Sequence, residues 1–386
     1  MVFNATVGAL VSSVGVNLAS SLQESVSPTT NILFSPLSIF SALFMLLYGT
    51  AEKSQSRSEL LQFFGTSSSH GNILPQLAGT FHDFFQPLMG DHESNKALDS
   101  SNATFLLENS LWGKSFKPSY IDLAKMKFFA SVFPQLPTAE KVNSWVARNT
   151  KNHITKILPP KFSLNPRSLL LVNTVFFHGK WKNEFKSSLT REEEFRVLNG
   201  KPIKTKMMNS FKAKWGYDET ENYQVLDMPY TDDRFVATVV LPRNIQSFAD
   251  FSNNLSKEDW TSIFSGNRYR RQVNLSLPKF DLEQALMLNQ ALKKAGVGKI
   301  FDSDAKLTNL SKSPFYVSDV LHKCRIEVDE KGSKASAATG IFMAYAAVRM
   351  PERTPEMRCD RPFLFVIRTK TGVPMFIAYI SKPKSL

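Results

Sequence analysis

One segment near the C-terminus sets the hardest condition on any fold this chain can adopt. It reads Glu330-Lys331-Gly332-Ser333-Lys334-Ala335-Ser336-Ala337-Ala338-Thr339-Gly340. A β-branched, alternating run, Cys324 to Val328, precedes it and predicts a strand, and the next apolar run begins only at Pro362-Phe363-Leu364-Phe365. A connection of that length between two strands is uncommon and is either functional or unstructured. Ala, Ser and Thr tolerate water in an extended chain. They also fit between two strands without steric conflict, so such a segment can serve as loop or as strand. An ordinary surface loop is the competing reading of the same composition.

The rest of the composition limits what this segment can belong to. At 386 residues the chain can bury one large core or two ordinary ones. Its 42% hydrophobic content and 31 Phe describe a folded protein rather than a disordered one. The longest apolar runs, such as Leu169 to Phe177, fall well short of the ~20 residues of a membrane helix, so no membrane is expected. Net charge is +13, which permits weak attraction to polyanions. Basic side chains gather modestly at Lys151, His153 and Lys156 and at Arg268, Arg270 and Arg271. A solubilising basic face is the simpler reading, and a heparin-like glycosaminoglycan is the cofactor those groups would take. Aromatics do not alternate with them as stacking platforms would, so nucleic acid is not an expected partner.

Two cysteines, Cys324 and Cys359, make neither a disulfide framework nor a four-ligand metal site, so no metal is expected. Residues 1–23 carry no charge, and their apolar run is interrupted by Gly8, Ser12, Ser13 and Asn17. That argues against a cleaved leader, while Val14, Leu18 and Leu22 recur as on one face of a helix. Five Asn-x-Ser/Thr sequons, at Asn4, Asn102, Asn254, Asn274 and Asn309, matter only if the chain is secreted. The expectation is an extracellular protein exported without a leader, with the cytoplasm as the alternative.

Along the chain, Ile32 to Phe34 predicts a strand and Ser35-Pro36 a helix start, with an apolar helix from Ser38 to Leu47 ending at Gly49. Gly90 to Ser101 reads as a polar surface loop. Leu106 to Trp112 and Ser131 to Leu136 suggest short strands, and Glu140 to Ile157 an amphipathic helix through Val142, Trp145, Val146 and Ile154. Ser168 to Phe177 is continuously apolar, the pattern of a strand buried on both faces. Strands then dominate to Ser311, with short helices expected at 248–255, 257–264 and 282–295. No linker or repeat divides the chain, so a single α+β domain is expected over residues 10–384.

No enzyme constellation emerges. There is no nucleophile elbow, zinc-protease helix motif, phosphate-binding glycine loop or calcium loop. The six histidines are dispersed, and Glu192-Glu193-Glu194 reads as a solvated turn. A catalyst is therefore the losing class.

Specific residues instead resemble the serpin family over almost the whole chain. They are Asn31-Ile-Leu-Phe-Ser-Pro-Leu-Ser38, Asn143-Ser-Trp-Val146 and Leu171-Val-Asn-Thr-Val-Phe-Phe-His-Gly-Lys-Trp181. Further on come Phe185, Thr190, Phe195, Met207-Met208, Met228-Pro-Tyr230, Leu241-Pro242 and Leu277-Pro-Lys-Phe280. His322-Lys323, Glu327 to Gly332, Pro362 to Phe365 and Pro374-Met-Phe376 complete the series. The resemblance implies three β-sheets, about eight or nine helices and an exposed reactive-centre loop, here residues 330–359. It implies a monomer that acts as bait for a serine protease. The protease forms an acyl-enzyme with the loop, which then inserts into the central sheet and traps it covalently.

By the same resemblance, Ser35, Ser38, Asn173 and His322 form a buried cluster under the strands that part. Trp181, Lys279 and Glu330 mark where insertion starts, with Lys279 and Glu330 as an ion pair. A near-surface pair of this kind would add only about 0–1 kcal/mol, so gating would be its main use. The hinge residues Glu330, Gly332, Ser333, Ala335, Ala337, Ala338 and Thr339 follow the inhibitory pattern; Lys334 departs from the usual Glu. A non-inhibitory carrier or chaperone is the alternative.

Counting seventeen residues from Glu330 puts the scissile bond at Ala346–Ala347, with Tyr345 before it. Counting back fourteen from Phe363 gives Arg349–Met350. Seventeen extended residues reach about 56 Å, and three more would add roughly 10 Å of slack on the inserting side. Ala346–Ala347 is therefore preferred, suiting an elastase-like target or, if Tyr345 is used instead, a chymotrypsin-like one. A trypsin-like target at Arg349 is the alternative.

Overall fold

The computed structural model describes residues 2–24, 27, 29–66, 74–89, 103–244, 248–266, 268–332 and 354–384. The first helix, α1 (Val2–Gln23), carries the expected face, with Val14, Leu18 and Leu22 all buried. A short strand β1 (Ile32–Phe34) leads into α2 (Pro36–Gly49), whose residues are buried almost throughout. Ser35 starts that helix by accepting the Ser38 N–H, and Pro36 occupies the first turn where no backbone donor is needed. Helices α3 (Gln55–Phe63) and α4 (Leu74–Met89) follow. Together with α5 (Pro118–Phe128) they close an aromatic cluster of Phe40, Phe44, Phe64, Phe81 and Phe128.

Five strands form the first sheet, in the order β10 (Phe280–Met287), β11 (Tyr316–Val328), β4 (Ser168–His178), β2 (Thr104–Trp112), β3 (Ala130–Phe133). β4 sits in its middle, buried along nearly its whole length as its sequence requires. Helix α6 (Ala139–Asn149) lies on one face, where Val142, Trp145 and Val146 pack with Trp112, Leu170 and Val172. α2 contacts β4 as well.

The other strands make a nine-stranded network, β1-β14-β13-β8-β7-β6-β9-β12, with β5 added on β6. Its members are β5 (Arg191–Phe195), β6 (Ile203–Glu219), β7 (Tyr223–Pro229), β8 (Phe235–Pro242) and β9 (Arg270–Pro278). The C-terminal members are β12 (Glu356–Arg358), β13 (Phe363–Thr369) and β14 (Pro374–Ile380). β6 is long enough to belong to two strand sets. Its N-terminal half pairs β5, its C-terminal end pairs β7, and a bulge between Ser210 and Ala213 bends it where it runs along β9. The expected three sheets are thus present, two of them joined through one strand. Nine α-helices occur among the described residues, completed by α7 (Phe248–Asn254), α8 (Lys257–Ser265) and α9 (Asn289–Lys294).

Three local expectations are corrected. The helix expected to Ile157 stops at Asn149, because Lys151 and Asn152 take left-handed backbone and Ile154 reaches the same core from an irregular segment. Glu192 to Glu194 form strand β5 rather than a turn, paired with Lys206 to Lys204 on β6. Residues 282–287 continue β10, whose partner β11 supplies the ladder, and the helix there is confined to Asn289–Lys294. The polar loop expected at 90–101 lies outside the described residues.

A buried charge cluster pins α8 to the large network. Asp227 on β7 accepts from Arg268 at 2.7 Å, Arg368 at 3.1 Å and Thr238 at 2.6 Å. Burial and the neighbouring Arg268 lower the pKa of Arg368 against the pull of Asp227. Removing the shared carboxylate leaves two guanidinium groups without it. Asp227→Ala is expected to cost about 3–5 kcal/mol, read as a lower urea midpoint for loss of tertiary fluorescence.

Candidate functional site: the seam between two parallel strands

Strands β4 and β11 are hydrogen-bonded directly to each other in parallel, from Tyr316 opposite Ser168 to Ile326 opposite Phe177. The connection between parallel strands must cross over, so this pairing is not enforced by a tight turn. Above Ile326 the two strands part company. Glu327 and Val328 pair only with β10, and His178 pairs only with Thr104 of β2. The seam therefore has an unladdered upper end, and there the chain leaves β11.

Side chains close this upper end. The Trp181 indole N–H donates to the Asp329 carbonyl at 2.8 Å, and its backbone N–H donates to Lys331 at 3.1 Å. Its ring stacks on Tyr230 with centroids 4.4 Å apart. Phe185 N–H donates to the Glu330 carbonyl at 2.8 Å. The Glu330 carboxylate receives Lys279 at 2.7 Å and the Thr190 hydroxyl at 2.8 Å. Burial alone would raise the pKa of Glu330, but Lys279 and the hydrogen bonds outweigh it and hold it below the usual carboxylate value. The pair is more sheltered than expected for a near-surface contact: the two side chains are only 16% and 12% exposed. Gly332 ends the turn at φ +68°, and a Cβ there would sit 2.2 Å from the Gly179 carbonyl oxygen. Only glycine meets both conditions.

Lower in the seam lies a buried polar relay. His322 on β11, Asn173 on β4 and Asn109 on β2 stand side by side in register. The Ser35 N–H donates to His322 Nε2 at 3.0 Å, so the neutral ring carries its proton on Nδ1 and donates it to Asn173 Oδ1. Asn173 Nδ2 donates to the Ser38 carbonyl at 3.2 Å and to Asn109 Oδ1 at 2.6 Å, and Asn109 in turn donates to Ser41 at 2.8 Å. Burial pushes the His322 pKa down to about 3. The relay staples three strands to the start of α2 without a single formal charge.

Ser35, Ser38, Asn173 and His322 are thus brought together, as are Trp181, Lys279, Glu330 and Gly332. The remaining hinge residues Ser333, Ala335, Ala337, Ala338 and Thr339, and both candidate bonds, Ala346–Ala347 and Arg349–Met350, lie outside the described residues. Asn109, Ser41 and Tyr230 were not anticipated as members of the site. The signal for Asn109 was present, a polar Glu108-Asn109-Ser110 step inside an otherwise apolar strand. The basic groups fare unevenly. Arg268 is buried against Asp227, Arg271 lies over the Tyr217 ring, and His153 stacks on Phe176, whereas Lys151, Lys156 and Arg270 are exposed.

A family model described as Serpin (serine protease inhibitor) matches residues 9–383. The chain belongs to the serpin family. Serpin B4 of Homo sapiens is 32% identical over 377 residues, spanning 92% of this chain and 95% of that protein. The leukocyte elastase inhibitor of Homo sapiens is 31% identical over 390 residues, spanning 92% and 94%. A solved structure of Arabidopsis AtSerpin1 in its native stressed conformation matches with a TM-score of 0.82 at 27% identity, covering 99% of both chains. Serpin48 of Tenebrio molitor shares the fold, with a TM-score of 0.81 at 22% identity over 98% of both.

Two outcomes follow from this geometry. Gly332→Ala should destabilise the closed seam by on the order of 2 kcal/mol, while Lys331→Ala, which keeps the backbone acceptor for Trp181, should leave the thermal midpoint in place. The folded pKa of His322 lies below its unfolded value near 6.5, so its stability contribution is complete above about pH 6.5 and is lost as pH falls toward 3. The stability–pH slope between pH 6 and 4 should fall by up to about 1.4 kcal/mol per pH unit in His322→Gln, measured by urea unfolding at each pH.

Proposed function

We propose that this serpin inhibits a serine endopeptidase as a suicide substrate, inserting its cleaved loop between β4 and β11. The observation that carries this reading is the direct parallel pairing of those two strands, with the chain leaving β11 at the seam's unladdered end. A segment that folds back from Gly332 and runs down the seam would lie antiparallel to both neighbours. One parallel ladder would be exchanged for two antiparallel ones, which are also slightly the more stable kind per residue. Ten register pairs join β4 to β11, so the exchange adds roughly ten backbone hydrogen bonds. At a net 0.5–1.5 kcal/mol each, they supply about 5–15 kcal/mol to hold the inserted state.

The sequence after Gly332 suits that use. Ser333, Ala335, Ala337, Ala338 and Thr339 are small enough to pass beneath the Trp181 closure and to pack within a sheet. Ala346–Ala347 is the bond we assign to cleavage, because it leaves seventeen residues from Glu330 to enter, with an elastase-like enzyme as target or, through Tyr345, a chymotrypsin-like one. Relatives named leukocyte elastase inhibitor support that choice. Arg349 favours a second reading, a trypsin-like target cutting at Arg349–Met350.

Incubation with elastase, chymotrypsin and trypsin should give an SDS-stable complex with at least one of them. Mass spectrometry of the released C-terminal peptide should show Ala347 at its start; Met350 there would transfer the assignment to Arg349. Loop cleavage with no complex, and no gain in heat resistance of the cleaved protein, would instead identify a non-inhibitory member.

A further inference from the structure

Four large apolar side chains stand in water among the described residues, and two of them bracket one stretch of the β6–β9 ladder: Phe211, 60% exposed, and Tyr269, 91% exposed. Between them the outer face of the ladder carries Lys212, Lys214 and Arg270, all exposed, while Trp215, Tyr217 and Val273 fill the inner face. The Arg270 guanidinium is laid across the ladder by its hydrogen bond to the Lys214 carbonyl at 3.2 Å. Lys204, lower on β6, is neutralised by Glu192 at 3.1 Å. Lys212 and Lys214 have no such carboxylate among the described residues.

The position of this face is what gives it a use. The loop returns to the body at β12, which pairs with β9 through Glu356 opposite Asn274. Asn274 holds both ends of the junction: its N–H donates to the Pro355 carbonyl at 2.9 Å, and its side-chain oxygen accepts the Lys212 N–H at 2.9 Å. The basic face therefore begins beside the foot of the bait, and Arg270 lies about 13 Å further along β9. A globular partner seated on the bait near this foot would have the basic face beside it.

We infer that this face is a second docking surface for the target protease, selecting enzymes with an acidic surface beside the cleft. The inference rests on the inhibitory reading above. Arginine and aromatic side chains are the residues that enrich protein interfaces, and exposed Phe211 and Tyr269 offer apolar contact that a sulfated polysaccharide cannot use. Exposed Glu356 and Asp218 interrupt the positive charge at its two ends, which suits a protein of mixed surface better than a uniform polyanion. Charge complementarity at such a surface acts mainly on the association rate.

The test compares anionic and cationic forms of chymotrypsin and of trypsin, which share a specificity pocket and differ in surface charge. Wild-type protein should form complex with the anionic form on the order of tenfold faster, and high salt should erase the difference. The variant Lys212→Glu/Lys214→Glu/Arg270→Glu should lose or invert that preference with the same number of inhibitor molecules consumed per protease. An unchanged rate ratio in the variant overturns the inference. So does loss of heparin retention by the variant at an unchanged rate ratio, which reassigns the face to a polyanion. If no covalent complex forms with any protease, the inhibitory reading fails on its own. Binding of anionic chymotrypsin with its nucleophilic serine replaced by alanine then decides the docking surface: weaker binding by the triple variant supports it, equal binding refutes it.

Discussion

The direct pairing of β4 with β11 is the constraint on which the other features depend. Two parallel strands held by one ladder are a complete sheet, yet each could serve a third strand running the other way between them. The pairing is therefore a local arrangement that leaves a better-bonded one available. What keeps it closed is side-chain chemistry. At the upper end, Trp181, Lys279 and Glu330 tie the departing chain to the neighbouring strands. In the middle, His322, Asn173 and Asn109 bridge three strands in one row. Both closures draw on polar contacts between neighbouring elements, which can be broken and remade elsewhere, and the Trp181–Tyr230 stack adds to the upper one.

The choice of groups in the relay follows from its burial. A charged pair there would require desolvation that good geometry only partly offsets. A neutral imidazole and two amides avoid the cost, their donors meeting acceptors on the next strand or on α2. Directionality comes with this choice. The Ser35 N–H fixes the histidine tautomer, the tautomer fixes the orientation of Asn173, and Asn173 fixes Asn109. The start of α2 is thus coupled to the spacing of three strands.

Much of this was legible from residues alone. The buried central strand, the Ser35-Pro36 helix start and the amphipathic first helix were readable because each depends on local periodicity or on one cap. The resemblance located both halves of the seam. The errors were of one physical kind. Residues 282–287 and 192–194 look helical or solvated by composition, but partner strands distant in sequence supply their ladders. Ile154 keeps helical spacing with Val146 although left-handed residues intervene, since packing beneath the strands, not backbone continuity, places it. The burial of Arg268 was equally invisible, because Asp227 and Arg368 reach it from other strands.

The long strand β6 has a consequence for how force would travel. It joins two strand sets into one network, and β12, the foot of the bait, is fastened to that network through β9. The other end of the bait leaves from β11, in the sheet that contains the seam. The bait is thus strung between a frame and a gate. On the proposed reading, an intact bait anchored at β12 would be limited in how far it could enter the seam. On the same inhibitory reading, cleavage would free the end held by β11 and leave the other end on the frame, so one broken peptide bond would change a tether into a bolt.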